Sequence, residues 1–256
     1  MTARAELLAV VILGAGGRMG TSLLRLLPQF PGLRLRAALA APGSASLGRD
    51  SGELAGTAPN GVRVSAELES ALHGAGLALD FSSAAASATH VGACAAARVP
   101  LLLGTTGLGP EISAILERAS SRIPLLVTAN TSLGVALLAD LVRQAAAVLG
   151  PDFDIQIQDT HHAGKLDAPS GTALALGAAA NDGRSPSRHS VAYASLRGGD
   201  VVGDHEVHFL GQGERLCLGH SVTDRSVFAR GALQAGSWLA GQPPGSYRMG
   251  DLLREK

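Results

Sequence analysis

His161, His162, Lys165, Asp167, Ser170, Gly171 and Thr172 fall within one short stretch, HHAGKLDAPSGT. Only 16% of the chain is charged, so a polar cluster with almost nothing apolar to bury points to chemistry rather than packing. His161 and Lys165 offer a proton donor that titrates near neutral pH and a fixed cation. Ser170 is placed to cap a helix through TALALGAAA, whose first N–H groups, at Gly171 and Thr172, would hold a carboxylate. A small anionic substrate fits this set, with Lys165 and the helix start sharing its charge. Asp167 either orients Lys165 or solvates the loop. The competing reading is a solvated loop, since an isolated pair of histidines need not act. No metal is expected: no third ligand has a clear spacing, and His205 and His208 of HEVH stand three apart on a strand, on opposite faces. His73, His90, His189 and His220 read as surface or structural residues.

A second motif is GAGGRMG, which places Gly14, Ala15, Gly16, Gly17, Arg18 and Met19 between an apolar run and a helical stretch. Glycines there allow a tight turn and let the backbone approach a pyrophosphate at the helix N-terminus. The match to G-x-G-x-x-G is imperfect, because Met19 occupies the third glycine's place and Gly20 comes one residue late; the competing reading is an ordinary strand-to-helix turn. The acid expected at the end of the second strand to bind ribose hydroxyls is missing from Leu39-Ala40-Ala41-Pro42. Arg18 and Arg49 are available to a 2′-phosphate, which leaves NAD against NADP open, and both cofactors are expected to be accepted. The loops GTTG, with Gly104, Thr105 and Thr106, and TANTSLG, with Thr128, Ala129, Asn130 and Thr131, follow later strands on the same side of the sheet.

These residues must be held by a scaffold, and the apolar runs outline one. Residues 9–13, 33–39, 62–64, 77–81, 100–104 and 124–128 read as strands, with helical stretches at 18–28, 65–73, 84–98 and 110–121. That alternation predicts an α/β, Rossmann-like doubly wound parallel sheet, with ligands beyond its carboxyl edge. After a long helix at 132–149, DFDIQIQD alternates strictly, Phe153, Ile155 and Ile157 to one side and Asp154, Gln156 and Gln158 to the other. Runs at 189–197, 203–210 and 215–223 extend a β-rich region, which predicts a smaller α+β domain with an open mixed sheet. The expected division is 1–130 as a dinucleotide-binding domain, 131–224 as a substrate-binding and tetramerisation domain, and 225–256, with a helix at 226–240, packing back on the first. NDGRSPSRH, 181–189, reads as a surface loop.

Composition narrows the function classes. With 46% hydrophobic residues the chain can bury one sizeable core or two modest ones. Lys and Arg together number 21, as do Asp and Glu, and no basic run appears, so neither nucleic acid nor an anionic membrane is an expected partner. Cys94 and Cys217 lie in no ligand or disulfide spacing and read as reduced thiols of a cytoplasmic protein. Arg4 and the run from Leu7 to Leu13 lead into a glycine turn without a cleavage pattern, so they read as the first strand rather than a leader. No unbroken apolar stretch approaches the ~20 residues of a membrane span.

GAGGRMG, GTTG, the Ala129-Asn130 element of TANTSLG and above all HHAGKLDAPSGTA resemble the 4-hydroxy-tetrahydrodipicolinate (dihydrodipicolinate) reductase family. GDVVGDHEVHF, GERLCLGHSVTDRSVFARGAL and the late tryptophan helix extend the resemblance over nearly the whole chain. It implies a two-domain homotetramer in which NADH or NADPH delivers hydride to C4 of a cyclic dicarboxylate imine, with loss of water, in lysine and diaminopimelate synthesis. By position, His161 would donate and accept the proton, Lys165 would be a second donor, and His162, Ser170, Gly171 and Thr172 would contact substrate. The cofactor would lie on Gly14 to Met19, Gly104 to Thr106 and Thr128 to Thr131, and the polar face of the second sheet would be partly an inter-subunit surface. Ala40 and Ala41 depart from the acidic and basic residues of many members, Thr131 replaces a commonly aromatic one, and the 181–189 connection is short. The other readings are a different Rossmann-fold oxidoreductase acting on a small carboxylate and a non-catalytic dinucleotide sensor.

Overall fold

The computed structural model describes residues 7–184 and 190–254, so Arg4, His189 and residues 185–189 of the surface loop lie outside the described residues. Two compact units emerge, one of residues 1–131 and 228–256, the other of 132–227.

The first unit is built on apolar strands: β1 (Leu8–Leu13), β2 (Leu33–Leu39), β3 (Val64–Ser65), β4 (Leu77–Asp80), β5 (Leu101–Leu103) and β6 (Pro124–Val127). Val10 to Leu13, Leu77 to Leu79 and Leu101 to Leu103 are wholly buried, as a sheet covered on both faces requires. A seventh strand, β11 (Gly245–Tyr247), pairs with β6 at one edge, giving the order β11-β6-β5-β4-β1-β2-β3 with every pair parallel. β1 lies between β2 and β4, so strand addition reverses there, and the loops beyond their carboxyl ends frame a ligand crevice. The connecting helices are α1 (Arg18–Leu26), α2 (Ser51–Leu54), α3 (Leu68–Leu72), α4 (Ala84–Ala97) and α5 (Ser113–Ser120).

Departures from the sequence reading have local causes. The strand expected at 62–64 shrinks to Val64–Ser65 because the Asp50 carboxylate gathers the amides of Gly52, Glu53, Asn60 and Gly61, capping α2 and holding the chain before β3 in a loop. The helix expected at 65–73 starts only at Leu68, since Ser65 pairs with Leu39 in the sheet.

Gly20 explains the offset in the glycine motif. A Cβ there would collide with the Gly14 carbonyl oxygen and stand 2.6 Å from Ala15 Cα, so close packing of α1 on the turn depends on Gly20. Gly14 itself has φ +85°, a left-handed conformation that favours glycine. Gly20→Ala is expected to destabilise the protein by about 1–3 kcal/mol through overpacking, visible as a lower urea midpoint at unchanged m.

The second unit contains α6 (Leu133–Leu149), β7 (Asp154–His161), α7 (Gly171–Gly183), β8 (Ala192–Arg197), β9 (Gly203–Leu210) and β10 (Arg215–Val222). Its sheet, β10-β9-β7-β8, is mixed: β7 runs parallel to β8 through the α7 crossover and antiparallel to β9. Ile155, Ile157, Val207 and Phe209 pack with Leu138 and Val142 of α6 and Leu176 of α7. By length and composition the stretch Leu133–Asp152, α6 with the turn after it, would pass for a membrane span. Here its Leu138, Val142 and Ala146 line the core, and Asp140 pairs with Arg143 on the same helix. The chain then continues as α8 (Ser226–Leu239), which from Phe228 onward belongs to the first unit and brings Gly236 against Leu77 and Leu79, and as α9 (Asp251–Arg254) after β11.

Candidate active site

The inward face of β7 changes character along its length. Ile155 and Ile157 are core residues, and Asp159 and His161 continue the same face as buried polar ones. His161 Nδ1 lies 2.8 Å from Asp159 Oδ2, a pairing that fixes the ring and turns Nε2 outward. Nε2 is above Gly203, where a Cβ would come within 3.1 Å of it. Asp159 is fully buried and receives Arg197 Nη1 at 2.9 Å and the Ser195 hydroxyl at 2.6 Å. Burial raises its pKa, but the Ser195 hydrogen bond, Arg197 and the Ser170 amide outweigh it and hold the carboxyl below its ordinary value. For His161, burial first and then the Lys165 charge lower the pKa, against the opposing pull of Asp159.

The loop after β7 brings in the other expected groups. Lys165 Nζ donates to Asp167 Oδ1 at 2.8 Å, and Arg197 Nη2 donates to the Asp167 carbonyl at 2.7 Å, tying the loop to β8. Ser170 is the N-cap of α7, its Oγ accepting from Ala173 N at 3.1 Å. Gly171 and Thr172 open that helix and present first-turn amides. His162 is half-buried just past the strand, and its carbonyl accepts from Lys165 N.

His205, weighed from the sequence only as a metal ligand and set aside, is buried in contact with this group. Its Nε2 is 3.1 Å from Ser170 Oγ, and its ring meets that of His161 edge-on at 5.2 Å. Burial, then the neighbouring His161, press its pKa down to about 4. The folded state therefore holds His205 neutral where the unfolded chain, near 6.5, already binds a proton. In that window the unfolded state carries more protons, so stability falls as pH drops from 6.5 to about 4, by roughly 3 kcal/mol in all. Urea denaturation at pH ~7.5 and ~4.5 should show the loss, and His205→Gln should flatten much of it.

In the first unit, a cleft of about 530 Å³ opens beside the glycine turn. Gly17, Arg18 and Met19 line it from the turn, Gly104, Thr105 and Thr106 from the loop after β5, and Ala129, Asn130 and Thr131 from the loop after β6. Four expected residues do not line it. Gly14 and Ala15 spend their amides on the Leu39 carbonyl, at 3.0 and 2.8 Å, so they shape the turn rather than face the cleft. Gly16 packs toward Ser46, whose Oγ would lie 2.7 Å from a Cβ. Thr128 bonds within its own loop, Oγ1 to the Asn130 carbonyl at 2.7 Å. Phe81, Ser82 and Phe228 also line the cleft, and the Phe228 carbonyl takes the Thr131 hydroxyl at 2.6 Å.

A buried carboxylate supports this cleft too. Asp80, at the end of β4, accepts from Ser82 N and Oγ, at 2.9 and 2.6 Å, and from Thr105 Oγ1 at 3.3 Å, while His90 Nδ1 sits 2.8 Å away. It thus fastens two cleft-lining loops and α4 together. Glycines that a Cβ would clog, hydroxyl-rich loops and the first-turn amides of α1 fit a dinucleotide.

Comparison with known proteins agrees with both halves. Residues 8–131 match the family model for the N-terminus of dihydrodipicolinate reductase, and residues 134–253 match that for its C-terminus. A 4-hydroxy-tetrahydrodipicolinate reductase of Anaeromyxobacter dehalogenans is 46% identical over 95% of this chain and 97% of its own length. One from Agrobacterium fabrum is 44% identical, with 95% of each covered. Among solved structures, the dipicolinate-bound dihydrodipicolinate reductase of Paenisporosarcina sp. TG-14 shares the fold at a TM-score of 0.78 and 22% identity, over 94% of this chain and 97% of that one. With both family models matched in order along the chain and relatives this similar over nearly all of it, the chain belongs to the dihydrodipicolinate reductase family.

Proposed function

We propose that this chain reduces 4-hydroxy-tetrahydrodipicolinate to tetrahydrodipicolinate with loss of water, using NADH or NADPH, as a step of lysine and diaminopimelate synthesis. The observation that carries the mechanism is the buried Asp159–His161 pair, with Lys165 and the start of α7 supplied by the loop that follows it. The first unit is the dinucleotide-binding domain: Gly17, Arg18 and Met19 hold the pyrophosphate, and the loops at 104–106 and 129–131 hold the remainder. The bound nicotinamide supplies the hydride.

The second unit handles substrate and protons. Lys165, Ser170 and the amides of Gly171 and Thr172 hold the carboxylates, where ammonium and helix dipole share their charge, and His162 adds a further contact. The hydroxyl departs as water with a proton while the carbon beside the hydride acceptor gives one up. That carbon takes one back once hydride is delivered, so one hydride and one proton are gained in all. His161 Nε2 donates, with Asp159 stabilising the charged ring, and Lys165 is the second donor. A cytoplasmic homotetramer built partly through the polar outer face of the β7–β10 sheet completes the reading.

Oxidation of NADPH by the purified protein with the cyclic substrate, but not with aspartate semialdehyde, tests it. Turnover of the semialdehyde would favour another oxidoreductase, and nucleotide binding without turnover a sensor. Beyond β2, Ala40 and Ala41 lead to Ser44 and Ser46, whose hydroxyls are 2.7 Å apart beside the glycine turn, where a discriminating acid would stand. NADH and NADPH are therefore expected to differ in kcat/KM by no more than about tenfold, roughly 1.4 kcal/mol. A preference near a thousandfold, about 4 kcal/mol, would contradict this.

A further inference from the structure

The outer face of the second sheet carries a donor set that the reductase chemistry does not use. His205, Val207 and Phe209 of β9 point into the core, so Glu206 and His208 project from the opposite face. On the antiparallel neighbour β10, Cys217 stands directly opposite His208, and Gly219 opposite Glu206. His208 Nε2 and Glu206 Oε2 are 3.2 Å apart, and one donor atom from each of Glu206, His208 and Cys217 lies within 4.8 Å of the others. Glu206 leans across Gly219, where its Cγ would be 3.7 Å from a Cβ.

We propose that Glu206, His208 and Cys217 form a binding site for a thiophilic divalent cation of the Zn²⁺ class. Around a tetrahedral zinc with bonds of about 2.0–2.1 Å to nitrogen and oxygen and 2.3 Å to sulfur, ligand atoms are separated by roughly 3.3–3.6 Å. The nitrogen–oxygen edge, at 3.2 Å, is just short of that range. The sulfur, within 4.8 Å of both other donor atoms, needs a side-chain adjustment to reach bonding distance. Thiolate, imidazole and carboxylate together favour zinc over magnesium or calcium, which prefer all-oxygen shells. A plain surface ion pair between His208 and Glu206 is the alternative, and such pairs are common and weak. A cysteine held in register opposite the histidine is what an ion pair has no use for. Binding exchanges the Cys217 S–H bond for a metal–sulfur bond, with the proton passing to solvent and no redox change. The fourth position is left to water.

The full-length protein, stripped of metal by chelator and dialysed, is titrated with Co²⁺ and then Zn²⁺. The expected result is one equivalent per chain, with a thiolate-to-cobalt charge-transfer band in the near ultraviolet and tetrahedral bands in the visible, bleached by Zn²⁺. Cys217→Ser should abolish the charge-transfer band and weaken Zn²⁺, measured against a chromophoric chelator, by about a hundredfold or more. His208→Ala should weaken Zn²⁺ similarly while the buried thiol variant Cys94→Ser keeps both signals. Absence of the band in the unmodified protein, its persistence in Cys217→Ser, or Zn²⁺ binding unaffected by His208→Ala would each overturn the proposal.

Discussion

His161→Ala is expected to lower kcat by about 10²- to 10⁴-fold, the usual contribution of a positioned general acid. The affinity for substrate should change far less, because the groups proposed to hold the carboxylates, Lys165, Ser170 and the start of α7, belong to other positions. The variant also opens a gap next to His205, and His161 is one of the groups that depress the His205 pKa. Stopped-flow NADPH oxidation at saturating substrate separates these effects. A kcat within about threefold of the unmodified enzyme would show that His161 is not the proton donor. In the unmodified enzyme the donor must be protonated, so kcat/KM, which reports the free enzyme, should fall as pH rises through the pKa of His161. Burial and Lys165 set that pKa below the ordinary 6.5, and the fall should therefore begin on the acid side of neutrality.

Much of the architecture is written in local pattern. Strands such as Leu8–Leu13 and Leu101–Leu103 are buried on both faces, so they appear as unbroken apolar runs that need no partner to be recognised. By contrast, Gly245–Tyr247 becomes a strand only because β6 offers it an edge, and its glycine and the prolines before it carry no strand signal. In the site, His161, Lys165 and Ser170 were legible because their types and spacing carry chemistry on one short segment. Asp159 was legible in principle: the alternation that buries Ile155 and Ile157 also turns residues 159 and 161 inward. Ser195, Arg197 and His205 reach the same group from neighbouring strands, and strand pairing is not encoded in any one window of sequence. The same reason hides the meeting of His208 and Cys217, which depends on the register of β9 with β10. Met19 for Gly20 shows a third case, in which the motif's spacing slips by one while its physical requirement, a side-chain-free contact between helix and turn, is met.

Asp159→Asn should impair turnover almost as severely as loss of His161 itself, by about 10²-fold or more in kcat. The carboxylate accepts from His161 Nδ1, Arg197 and Ser195 together, and an amide has one acceptor oxygen where the carboxylate has two. His161 Nδ1 and Arg197 Nη1 share Oδ2 while Ser195 meets Oδ1. An amide oxygen left in the Oδ2 place turns its NH2 toward Ser195, and the ring keeps an acceptor but loses the negative charge that supports its positive form. Stability should fall as well, by about 3–5 kcal/mol, because Arg197 keeps its charge without its buried partner. A structural defect alone would reduce the folded fraction and scale every rate equally. The pH profile distinguishes the two. Asp159 raises the His161 pKa against burial and Lys165, so removing its charge lowers that pKa further and shifts the fall in kcat/KM to lower pH. Measured on protein shown by urea titration to be folded at each pH, a profile displaced toward acid identifies Asp159 as the residue that positions and charges His161. An unmoved profile with kcat reduced only in proportion to the folded fraction would reduce Asp159 to a structural role.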